Sequence, residues 1–213
     1  MFSTPGELVK HFRTVMNDLK IPQFWSDPEL YAYMSEGELE IARVTLCLPA
    51  ISETNVGEAV ASPTIDQGLI RIRGAWWIQD GQQYPLYIYS LDDFISNSHV
   101  DLEKSGRPNT AITGTGVSSI RLYPVPNSSG RLRLAIYRAP AKALNADAKF
   151  EIPLQYRNAL LDWMQYRACM KDDAEVFDRA RAEGFLRSFL SKVDGYEKTE
   201  HLRRGHPQSG GIA

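Results

Sequence analysis

The sequence predicts an α+β fold: a four-helix bundle formed by N- and C-terminal helix pairs, with an inserted antiparallel β domain and a flexible C-terminal tail. Three observations predict it. Apolar residues recur at helical spacing near both ends of the chain. Between them the pattern changes to short alternating runs of β-branched and aromatic residues, broken by Gly, Pro, Ser and Thr. The last residues, Glu200 to Ala213, hold too little apolar surface to fold alone. The expected divisions are an N-terminal helical hairpin over 1–49, the β domain over 50–149, a C-terminal helical pair over 150–199 and an extended tail over 200–213.

Thr4-Pro5-Gly6-Glu7 is a helix start, because Thr4 caps free amides, Pro5 suits the first turn and Glu7 is the capping-box partner. Leu8, Phe12, Val15, Met16 and Leu19 form its stripe, and Ile21-Pro22 ends it. Ser26-Asp27-Pro28-Glu29 starts a second helix, with Leu30, Met34, Gly37, Ile41, Val44 and Leu48 on one face and Pro49 as its stop. Glu36, Glu38 and Glu40 lie largely off that stripe. In the central region, Leu69 to Ile78 and Leu86 to Tyr89 read as strands around an Asp80-Gly81 turn. Ser90-Leu91-Asp92-Asp93-Phe94 reads as a capped helical turn and residues 96–109 as a long loop. Strands resume at Ala111-Ile112-Thr113 and Val117. Ile120 to Pro124 and Arg131 to Tyr137 then read as a hairpin around Asn127-Ser128-Ser129-Gly130. Leu132, Leu134 and Ile136 share one face of its second strand, with Arg131, Arg133 and Ala135 on the other. Pro153 opens a third helix along Tyr156, Leu160, Met164 and Ala168. Asp172-Asp173 caps a fourth through Val176, Phe177, Ala180, Phe185, Phe189 and Val193.

At 213 residues and 43% hydrophobic the chain buries a real core. A net charge of −2 argues against a dedicated nucleic-acid binder. The charge is unevenly spread: residues 1–65 carry 4 Lys+Arg against 9 Asp+Glu (−5), residues 66–140 carry 8 against 6 (+2), and residues 141–213 carry 12 against 11 (+1). Cys47 and Cys169 read as buried free thiols, which points to a reducing compartment. The first ten residues lack the pattern of a signal peptide, and no run approaches the length of a membrane span, so a soluble, cytoplasmically made protein is expected.

A search for reactive chemistry nominates no catalytic residue, cofactor or metal. His11, His99, His201 and His206 show no ligand spacing. Gly114-Thr115-Gly116 lacks the following helix of a phosphate-binding loop. Glu38 with Glu40, and Asp92 with Asp93, read as a solvated face or a helix cap. Adjacent Trp76 and Trp77 must point to opposite faces of a strand, one to the core and one outward.

Three segments carry a family likeness: Trp25-Ser26-Asp27-Pro28-Glu29-Leu30 opening a helix, Ile120-Arg121-Leu122-Tyr123-Pro124-Val125-Pro126 ahead of an alternating strand, and Phe150-Glu151-Ile152-Pro153-Leu154 opening the third helix. In order and spacing, residues 25–195 resemble the head-to-tail adaptor, or connector, family of tailed bacteriophages, which includes the podovirus tail tubular A-type proteins. That resemblance implies a non-enzymatic subunit of a dodecameric ring that docks on the portal protein, meets tail or nozzle proteins, and passes double-stranded DNA without specific binding. It implies a place at the virion neck, after assembly in the host cytoplasm, and no membrane partner. Trp76, Trp77, Arg107, Arg121, Arg131 and Arg133 are the candidate subunit-interface residues. Tyr196, His201, Leu202, Arg203, Arg204 and His206 are candidates for docking on the portal or a neighbouring subunit. The alternative is a carbohydrate- or host-binding β module of a phage tail, supported by the Trp and Tyr content of the central region.

Overall fold

The computed structural model describes residues 2–65, 68–96, 101–116, 118–172 and 177–203, with side chains described as far as Asp194. The elements in order are α1 (Pro5–Val15), α2 (Asp27–Thr45), β1 (Pro49–Val56), β2 (Leu69–Gln79), β3 (Gln82–Ser90), α3 (Leu91–Ser96), β4 (Ser105–Gly106), β5 (Thr110–Thr113), β6 (Arg121–Tyr123), β7 (Val125–Pro126), β8 (Gly130–Arg138), α4 (Arg157–Cys169) and α5 (Arg179–Arg203). A 3-10 turn at Leu154–Tyr156 leads into α4. Two compact units result, Met1–Leu48 with Pro140–Ala213, and Pro49–Ala139.

The fold is α+β, but the expected bundle of N- and C-terminal helix pairs is not what forms. In the helical unit α4 is central and packs on α5, α2 and α1. Leu144, Phe150 and Ile152, from the segment ahead of α4, complete the core with Leu8, Phe12, Leu30, Met34 and Phe189. An apolar stripe dictates which face is buried but not which element covers it. Helix α1 is also shorter than its stripe predicts. It ends at Val15, and Val15 and Leu19 are exposed. Asn17 turns the chain in the left-handed region (φ 58°), and buried Asp18 accepts hydrogen bonds from the Arg13 guanidinium and, at 2.7 Å, from the Phe24 amide. Arg13 also pairs with Asp27 at the start of α2. That buried cluster, and not Pro22, sets the turn between the two helices.

Gly37 explains how closely α2 and α4 approach: a Cβ there would lie 2.8 Å from the Trp163 ring and 3.0 Å from Leu160. Helix α5 starts later than predicted, with the Asp178 carboxylate accepting from the Arg181 amide at 2.9 Å and Phe177 left exposed. It continues through Arg203, past the expected start of the tail at 200. The expected cap and stripe residues Asp173 and Val176, the strand residue Val117, His99 and the segment 204–213 lie outside the described residues.

The second unit is built on a curled, mixed six-stranded sheet of order β1-β8-β2-β3-β5-β6, not a purely antiparallel one. Strands β3 and β5 run parallel, joined by a connection that includes α3 and β4. The sequence reading, which took 96–109 as loop alone, misses this crossover. A short parallel pair, β4 with β7, is separate. The Asp80-Gly81 turn does join β2 to β3, with both residues at positive φ (51° and 75°) as a tight hairpin of this kind requires. The hairpin expected between 120–124 and 131–137 does not form: β6 pairs with β5, and β8 lies between β1 and β2. Turn residues at 127–130 mark a reversal of the chain but not its strand partners. Trp77, Leu132, Leu134, Ile136, Leu122 and Ala111 make the core under one sheet face.

Candidate functional site

The other face of that sheet carries the residues with recognition chemistry. Alternation places Arg131 and Arg133 of β8 opposite the core residues Leu132 and Leu134. Register then sets Arg133 between Glu53 of β1 and Trp76 of β2, and Arg131 between Asn55 and Ile78. Glu53 takes both cations: Arg131 donates to it at 2.8 Å and Arg133 at 2.6 Å. Arg133 also reaches across β2 and donates to the Gln83 side chain of β3 at 2.9 Å. The hydrogen bond from Arg133 is the largest influence holding the Glu53 carboxyl below its usual range, so it is ionised at neutral pH. Two arginines against one glutamate leave this ladder with one surplus positive charge. Exposed apolar side chains flank it, with Ile51 at 62% and Tyr87 at 69% exposure.

The other predicted interface residues fall in different places. Trp76 is half-buried on the ladder face, its indole folded back over Gly74, where a Cβ would meet it at 2.7 Å. Trp77 is fully buried, its indole N–H donating to Gln79 at 3.0 Å and its ring pressed against Gly130. The adjacent tryptophans therefore form no paired stacking platform. Arg107 lies over the Tyr84 ring, 3.9 Å from its centroid. Arg121 donates at 2.9 Å to the Leu102 carbonyl and at 2.7 Å to Glu103, fastening the segment ahead of β5 to β6. The structure thus brings Trp76, Arg131 and Arg133 together, and leaves Arg107 and Arg121 holding a loop. Tyr196, His201, Leu202 and Arg203 belong to α5, with side chains outside the described residues, as are Arg204 and His206 entirely.

Two groups escape sequence reasoning. Glu53 is ordinary until the register of β1 on β8 is known. Glu38, assigned above to a solvated face, is completely buried: its Oε1 accepts from the Glu151 amide at 2.8 Å and the Ile152 amide at 3.2 Å. Its signal was present, since Met34, Glu38, Ile41 and Thr45 lie at helical spacing and all are buried. Burial pushes the Glu38 carboxyl up, against the two amides that favour its charged form. Burial likewise raises the Cys169 thiol. Among the described residues, no group of three or more His, Cys, Asp or Glu is placed to hold a metal ion. What the ladder face offers is hydrogen bonding, charge and apolar contact.

The family model of the SU10 adaptor protein matches residues 3–209. The chain belongs to the SU10 adaptor protein family. No curated protein matches it. This is a bacteriophage adaptor family, structural and non-enzymatic, so the adaptor is a virion component that works among portal and tail components. Among the adaptor's described residues, no helix is long and apolar enough to cross a membrane.

Proposed function

We propose that the adaptor is the repeating subunit of a closed homo-oligomeric ring, dodecameric as in the connector family it resembles, that docks on the portal protein and joins capsid to tail. The match to the adaptor family over residues 3–209 carries this reading. The ladder face adds physical support. A ring of identical subunits needs two different, mutually complementary surfaces on each copy. An exposed face with surplus positive charge beside Ile51 and Tyr87, on a chain whose first 65 residues carry −5, supplies the charge asymmetry for such a contact. In this reading Trp76, Arg131 and Arg133 meet the neighbouring subunit. The acidic N-terminal third faces the channel, where double-stranded DNA passes without being gripped. Tyr196, His201, Leu202, Arg203, Arg204 and His206 reach the portal or the next subunit, and tail or nozzle proteins close the other side of the ring at the neck.

Mass photometry of the purified chain, alone and with portal rings of the same phage, followed by cryo-electron microscopy, tests the proposal. A closed ring, free or stacked on the portal, is expected. A monomer that ignores the portal refutes it, and an inner wall lined chiefly by Arg121, Arg131 and Arg133 refutes the channel assignment. Deleting residues 201–213 is expected to weaken portal binding, and unchanged binding removes the tail from the contact.

A further inference from the structure

The two edges of the six-stranded sheet differ. At one end, β6 is only three residues long and is covered: the Leu122 amide donates to the Ala61 carbonyl at 2.7 Å, the Ile65 amide donates to the Ser118 carbonyl at 3.0 Å, and Thr64 bridges Ser119. At the other end β1 pairs with β8 along its whole length without a bulge, from Pro49–Tyr137 to Val56–Gly130. Among the described residues, no strand pairs with its outer edge and no backbone hydrogen bond is made to it.

Natural sheets guard such edges with lysines, prolines, bulges or inward-pointing charges, because an open row of peptide groups templates another strand. Strand β1 has none of these along its length. Its proline is its first residue, it contains no Lys or Arg, and its register is unbroken. Its one charge, Glu53, is drawn over the sheet by Arg131 and Arg133. Strand β2, in the interior of the same sheet, carries two register shifts. The long regular strand is thus the one left open.

We infer that the outer edge of β1 receives an extended segment of a different chain, a portal or tail component, which adds to the sheet as a further strand; this rests on the adaptor reading above. The sheet of a second copy of this chain does not fit. Pairing of β1 with β1 of another copy is two-fold and uses up both edges, so it cannot propagate around a ring. A heterologous strand contact needs a second open edge, and the β6 edge is closed. Backbone hydrogen bonds would hold the incoming strand, and alternate side chains would select it. On the ladder face, its residues lie beside exposed Ile51 and short Asn55, next to the surplus positive charge of Arg131 and Arg133. The geometry therefore favours a segment with an apolar side chain toward Ile51 and a carboxylate four residues away, beside Asn55 and toward Arg131. On the opposite face β1 carries Ala50, Ser52, Thr54 and the buried Val56.

Residue-resolved hydrogen–deuterium exchange on the full-length chain tests this, run free and with the portal protein and tail proteins of the same phage. Binding is expected to slow exchange at every second amide of β1 by about tenfold or more. Ile51→Lys, which guards the edge from an exposed position, is expected to weaken binding by about tenfold, while Ile51→Val leaves it unchanged. Portal or tail binding with β1 exchanging as in the free chain overturns the inference and leaves the adaptor reading intact. Protection of β1 in the partner-free chain, with two-fold dimers by mass photometry, assigns the edge to a second copy and also overturns it. Failure of every portal and tail protein to bind removes the docking role and, with it, the occupant assigned to β1.

Discussion

Glu38 is a carboxylate that holds two backbone amides in a site with no exposure to water. Replacing it with Ala strands both N–H groups, at a cost of about 1–3 kcal/mol, to be measured by urea denaturation at neutral pH. Because burial raises its pKa above the unfolded value, the folded chain binds that proton more tightly than the unfolded chain does. The stability this group contributes is complete below its unfolded pKa, and it is lost as pH rises through the higher folded value. As pH rises above the unfolded glutamate value of about 4.3, the native chain is therefore expected to lose stability relative to Glu38→Gln; parallel stability curves would refute this. Gly130 makes a simpler prediction. A Cβ there would sit 2.2 Å from the Trp77 ring, so Gly130→Ala is expected to cost about 1–3 kcal/mol through overpacking, read as a drop in melting temperature. Gly130 does not announce itself in the sequence, since the demand on it comes from Trp77 on β2, a neighbouring strand in the sheet but far away in the chain.

At the scale of elements, local signals proved readable and partner choice did not. Thr4 and Ser26 cap α1 and α2 where the sequence places them, their side chains accepting from the Glu7 and Glu29 amides. Alternation in β8 correctly separates its core face from its charged face. Which strand pairs with which was hidden, because the parallel β3–β5 contact spans a crossover and leaves no periodic trace. The ladder of Glu53, Arg131, Arg133 and Gln83 depends on that non-local register. Exposed ion pairs contribute little to stability. Neutralising both cations (Arg131→Gln with Arg133→Gln) is therefore expected to leave thermal unfolding nearly unchanged while abolishing ring assembly in mass photometry. A variant that still closes rings would move the subunit contact elsewhere. The Arg13 cluster behaves differently, because it is buried: Arg13→Ala leaves the Asp18 carboxylate without its cation and is expected to cost about 3–5 kcal/mol in denaturant titrations.

For the whole molecule, the sequence shows a β-rich middle between helical ends, and the structure supplies the reason that this order is tolerated. Pro49–Ala139 is one unbroken stretch with its own apolar core, whereas the helical unit draws on both ends of the chain. We expect the 49–139 fragment to unfold cooperatively on its own, as followed by circular dichroism, and the 1–48 fragment to remain unfolded. The likeness to connector proteins was legible because it rests on three local segments, one at each helix or strand entry. The bundle read into the ends was wrong because α1 stops at Val15 and the segment from Leu144 to Ile152 takes a place that a helix was expected to fill.

That division also orders events during synthesis. Leu8, Phe12, Leu30 and Met34 leave the ribosome first, yet the surfaces that bury them, Phe150 through Phe189, are translated last. The sheet is complete once residue 139 has emerged, so the middle of the chain can fold while its beginning still waits. A ribosome stalled after residue 139 has emerged and before α4 has done so holds a nascent chain with a finished sheet and two N-terminal segments whose apolar stripes are still unpacked. Until α4 and α5 emerge, a chaperone that recognises such stripes would have its substrate at the N-terminus.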